Sequence, residues 1–86
     1  MANMLSGQTS EFEFLDNLAF DLFKNEDFLN SALCYERMIK LDSSHAKTYY
    51  NLAIVLHDLG HFENSLICYE KSKELGYDSS RVNLNI

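Results

Sequence analysis

Slid along itself by 34 residues, the chain matches at eleven of the 34 positions from 12 to 45, and a fixed period of that length marks a stacked helical repeat. Roughly two or three matches are expected by chance from an ordinary composition. The matched pairs are Asn17/Asn51, Leu18/Leu52, Ala19/Ala53, Leu22/Leu56, Phe28/Phe62, Asn30/Asn64, Ser31/Ser65, Cys34/Cys68, Tyr35/Tyr69, Glu36/Glu70 and Leu41/Leu75. Apolar, small and polar places all recur, so what repeats is a packing unit and not a stretch of biased composition. The expected fold is all-α: antiparallel helix-turn-helix repeats stacked as a short right-handed α-solenoid.

Within 86 residues such a chain holds one domain with a marginal core. Its net charge of −6 argues against nucleic acid or an anionic membrane as partner. The acidity is uneven: residues 1–45 carry eight acids and three bases, residues 46–86 five acids and four bases. The first ten residues lack the basic start and apolar centre of a signal peptide, and no stretch approaches the ~18 apolar residues of a membrane span. A cytoplasmic protein is the expectation. Cys34 and Cys68 occupy one place in successive repeats, about 8–10 Å apart by helix packing, too far for the roughly 7 Å limit of a disulfide. They read as small buried hydrophobes in a reducing compartment.

Residues 1–9 are aperiodic and read as a flexible N-terminal tail; residues 10–86 read as the domain. Ser10 with Glu13 forms a capping box that opens a first helix running to about Lys24. Leu15, Leu18, Ala19 and Leu22 form its core stripe, which four phenylalanines widen. Asn25 suits the left-handed end of that helix, and Asp27 suits the cap of a second helix through Phe28, Ala32, Tyr35, Met38 and Leu41. After the polar break Asp42–Ser44, a third helix runs from about His45 to Leu59 and stops at Gly60; a fourth, from about Phe62 to Leu75, stops at Gly76. Asp78 or Ser79 can cap a short terminal helix over 80–86. The repeat bounds are about 12–45 and 46–79.

These residues resemble the tetratricopeptide repeat, a 34-residue helix-turn-helix with the pattern W-x2-L-G-x2-Y, then A-x3-F, then P. Leu15, Leu18, Ala19, Leu22, Ser31, Tyr35 and Ser43 stand at those places in the first repeat, and Tyr49, Leu52, Ala53, Leu56, Ser65, Tyr69 and Tyr77 in the second. Size class is kept everywhere except at the proline. The second repeat is the closer match, through Ala46, Tyr50, Asn51, Gly60, Lys71, Glu74 and Leu75. Met38 departs from the pattern, standing where the family prefers a small residue; its counterpart Ser72 fits normally.

The resemblance implies a concave groove on the first helix of each pair, the surface on which such repeats hold extended peptides or partner helices. Carried over residue by residue, its positions are Glu13, Asp16, Asn17, Phe20, Phe23 and Lys24, then Lys47, Tyr50, Asn51, Ile54, His57 and Asp58. One subgroup of the family clamps chaperone C-terminal carboxylates with Lys and Asn on the first helix, Asn on the third, and Lys with Arg on the fifth. Here Asp16 and Phe20 replace the first pair, Asn51 matches, and Arg81 with Asn85 are a partial echo. The acid at Asp16 repels such a tail. A basic or amphipathic ligand with apolar anchors suits the groove better.

Aromatic residues at helical spacing are usually core, which is the plain reading of Phe20, Phe23, Tyr50 and Ile54. Yet Leu15, Leu18, Leu22, Leu52 and Leu56 already supply the face toward the paired helices, leaving an aromatic strip for binding. Glu11 and Asp21 read as a solvated face. His57 and His61 are four apart beside Asp58, but Gly60 breaks the helix between them and with it the geometry that would aim both at one metal. No nucleophile elbow, phosphate loop or paired-cysteine knuckle is present, so neither an enzyme nor a cofactor is expected. The leading expectation is a non-enzymatic adaptor or scaffold that binds a peptide or helix of another protein. The alternative is a structural self-association module: two repeats fall short of the usual three, so a homodimer or larger assembly would complete the stack.

Overall fold

The computed structural model describes residues 10–77. All regular structure among them is helical: α1 (Glu11–Lys24), α2 (Phe28–Leu41), α3 (Ala46–Asp58) and α4 (Phe62–Glu74). Each helix packs on the next in chain order, giving two antiparallel hairpins laid side by side in a short helical solenoid. The tail at 1–9, the last two positions of the second repeat and the helix expected at 80–86, with Arg81 and Asn85, lie outside the described residues.

The helix ends follow from local chemistry. Ser10 caps α1, its Oγ accepting the Glu13 amide at 3.1 Å. Three helices end in the same motif, in which the amide one residue past the left-handed position reaches back five residues and satisfies an otherwise orphaned carbonyl. Asp27 thus donates to Leu22 and Glu26 to Phe23; His61 and Gly60, then Tyr77 and Gly76, repeat the arrangement at α3 and α4. The left-handed residue after α1 is Glu26, at φ 65°, and not Asn25, which stays at φ −88°. Glu26 is the 34-residue counterpart of Gly60 (φ 87°), so register overrides the intrinsic preference of asparagine. Asp27 precedes α2 as expected, but its carboxylate accepts the Asn30 side chain at 2.9 Å instead of capping the backbone. Between the hairpins Asp42 accepts both the amide and the hydroxyl of Ser44, which holds its carboxyl below the usual carboxylate range.

The core lies where helices have neighbours on two sides. Tyr35 and Met38 of α2 and Leu52, Val55 and Leu56 of α3 are buried, together with Ala19 and Ala32. Ala19 and Ala53, both fully buried, are small enough for the paired helices to cross closely, and Ser31 and Ser65 sit against them. Arg37 reaches Glu11 at 2.9 Å across the first hairpin. Phe23 against Phe28 closes the first inter-helix turn with ring centroids 5.5 Å apart, and their counterparts His57 and Phe62 close the second at 5.0 Å.

Two expectations about packing are corrected. Leu18, read as core, is exposed, because among the described residues no helix covers the outer side of α1. Cys34 and Cys68 are free but half-buried; burial pushes both thiols up, helped by Asp27 at the first and Glu36 at the second. Met38 is buried and its bulk fills its site, and its small counterpart Ser72 is buried too, with a hydroxyl that has no hydrogen-bond partner among the described residues.

Candidate functional site

The first helices of the two hairpins flank a cavity of about 320 Å³ with α2 beneath it. Helical spacing creates its walls: residues separated by four and then three positions share a face. Asp16, Phe20 and Phe23 follow that spacing on α1, with Asn17 beside them, and Lys47, Asn51 and Ile54 follow it on α3. Tyr35 of α2 and Val55 of α3, both buried, form the floor.

One carboxylate, one ammonium, two carboxamides and a mainly aromatic apolar surface therefore face one space. Asn17 and Asn51 are 34-residue counterparts, and a carboxamide both donates and accepts, so the pair can bond the main chain of an extended segment. Phe20 is largely exposed; the Lys24 ammonium lies 5.0 Å from its ring centroid and 3.8 Å from Asp21. Both contacts are at the surface, where each contributes at most about 1 kcal/mol. Burial, then the charge of Asp16 and the nearby Cys34, push the Tyr35 phenol up to about 12. It stays neutral at physiological pH.

Residues 46–75 match the family model described as the tetratricopeptide repeat. The segment is similar to a tetratricopeptide repeat, and the four-helix stack is consistent with one. The matched segment spans α3, α4 and the turn between them, and the first hairpin reproduces its helices one period earlier. No curated protein and no solved structure matches the chain. Tetratricopeptide repeats mediate protein–protein interaction and are typically non-enzymatic. Among the described residues no three potential metal ligands come together, and no helix is long and apolar enough to cross a membrane.

Of the twelve residues that the repeat resemblance placed in the groove, Asp16, Asn17, Phe20, Phe23, Lys47, Asn51 and Ile54 line the cavity. Glu13 is exposed outside it, and Lys24 lies over Phe20. Tyr50 packs between Tyr69, at 5.4 Å, and Tyr77, at 4.7 Å, and so stiffens the second hairpin. His57 turns to Phe62 and, at 3.8 Å, to Asp58. Tyr35 and Val55 were not expected to line the cavity. Tyr35 stands at a core place of the repeat and stays buried there, forming part of the floor where the space between α1 and α3 ends on α2; Val55 follows Asn51 by four residues, a spacing that could have found it.

Proposed function

We propose that the chain is a non-enzymatic adaptor whose cavity between α1 and α3 holds a basic, amphipathic segment of another protein through an apolar anchor. The observation that carries this reading is the meeting of Phe20, Phe23 and Ile54 with the Asn17 and Asn51 carboxamides in one cavity, beside the charge of Asp16. The aromatic surface supplies most of the affinity. The carboxamides fix the main chain of the segment, and Asp16, the one carboxylate in the cavity lining, selects basic residues and speeds encounter. Lys47 on the opposite wall sets the direction in which the segment lies.

A displayed library of random peptides tests the reading. The wild-type chain should enrich sequences with a Lys or Arg a few residues from a large apolar side chain. Phe20→Ala should lose the enrichment, and Asp16→Lys should keep the apolar anchor while losing the basic preference. Enrichment indifferent to both variants would reject the cavity as the binding surface.

A further inference from the structure

The 34-residue register gives every place in one hairpin a counterpart in the other, and the two outer surfaces of the stack differ from their counterparts in one respect. On α2, Ala32 is 4% exposed under α3, while its counterpart Leu66 on α4 is 58% exposed. On α3, Thr48 and Leu52 are 1% and 4% exposed; their counterparts Phe14 and Leu18 on α1 are 59% and 36% exposed. The outer side of α4 is therefore the face that α2 turns to α3, without an α3 on it among the described residues. The outer side of α1 is the face that α3 turns to α2, without an α2 under it. The open places carry larger apolar groups than a solvated helix face needs: Phe14 stands for Thr48 and Leu66 for Ala32.

We propose that the chain assembles head to tail, α4 of one copy receiving α1 of the next in the register by which α2 receives α3. The junction repeats the register of an interface that the chain already forms within itself, with larger side chains, Phe14 for Thr48 and Leu66 for Ala32, that hold the two helices further apart. Because α2 and α3 run antiparallel, that register sets the last turn of α4, with Lys73, beside the first turn of α1, with Glu13; Lys71 and Glu11 of the same turns are already paired within the chain, with Glu74 and Arg37. The same register places Asp21, at the position of the buried Val55, inside the junction together with Lys24, 3.8 Å from it. The contact joins two different surfaces, so it does not close on itself and growth is open-ended. A junction of one helix on another belongs with the small, weak interfaces, so association is expected at roughly 10 μM to 1 mM. The inference is independent of what occupies the cavity between α1 and α3.

Light scattering and sedimentation of the full chain, wild type, Phe14→Glu and Leu66→Glu, test it over that range. Both substituted side chains are mostly exposed, so circular dichroism should show unchanged helix content. The wild type should rise through dimer to larger species without a plateau, and each variant alone should stay at the monomer mass. Mixed in equal amounts, the two variants retain one intact surface each and should form a pair that stops at twice the monomer mass. A wild type that keeps the monomer mass throughout would overturn the proposal, the α4 face then being covered by residues 78–86 of the same chain or by another protein. Association of Phe14→Glu equal to wild type would overturn it in favour of a two-fold α4 contact, and so would two monomeric variants that fail to pair when mixed.

Discussion

The hydroxyl of Ser31 donates to the carbonyl oxygen of Ala19 at 2.8 Å, tying the first turn of α2 to the middle of α1. One period later Ser65 donates to Ala53 at 2.7 Å. The alanines admit the close approach, and the serines, standing where the family pattern has alanine, bond a carbonyl whose second lone pair the helix does not use.

Ser31→Ala and Ser65→Ala should each lower stability by about 1 kcal/mol or slightly less, the lost bond being partly offset by the better helix propensity of alanine. The two sites lie in different hairpins, so the double variant should show the sum. Urea unfolding monitored by circular dichroism checks this; a double variant as stable as wild type would mean that the bonds contribute nothing net.

Ser72→Ala should act in the opposite direction. Its hydroxyl is buried without a partner, and removing an unsatisfied group while improving helix propensity is worth about 1 kcal/mol of added stability. A rise in the urea midpoint is expected, whereas a fall would reveal a partner for the hydroxyl.

Glu26 and Gly60 hold the same left-handed place in the two hairpins. Glu26→Gly should stabilise the protein by roughly 0.5–1 kcal/mol, relief of the side-chain strain exceeding the entropy glycine adds to the unfolded chain. Gly60→Ala should destabilise by about 1 kcal/mol through conformation alone, since nothing lies within 4 Å of where its Cβ would stand. The same unfolding series reads both.

Tyr35 couples stability to alkaline pH. Its phenol is neutral when protonated, and burial raises its folded value to about 12 from an ordinary 10.0. That contribution is complete below pH 10 and is lost as pH rises toward 12. The absorbance of tyrosinate at 295 nm should show at least one tyrosine ionising late and together with unfolding. Tyr35→Phe should flatten the loss of stability over this range; an equally steep loss would place the sensitivity elsewhere, with Tyr69, also raised by burial, the next to substitute.

Period and local chemistry in the sequence were enough to determine the four described helices, their order and most of their stops, through apolar spacing, a serine cap at Ser10 and glycines at 60 and 76; the left-handed residue after α1 is the exception, Glu26 and not Asn25. The resemblance to the tetratricopeptide repeat, and not spacing alone, put Asp16, Asn17, Phe20, Asn51 and Ile54 on the inner sides of the first helices, and those residues line the cavity. Tertiary structure decided what depends on neighbours. Leu18 and Leu52 are the same residue at the same repeat place, yet one is exposed and the other buried, because α2 covers α3 and no described helix covers the outer side of α1. Tyr35 lines the cavity for a related reason: the space between α1 and α3 ends on α2, where Tyr35 stays buried in the core and forms part of the floor. Helical propensity and period are properties of a segment, whereas burial is a property of what stands next to it, and a repeat that reads the same twice has different neighbours at each end of the stack.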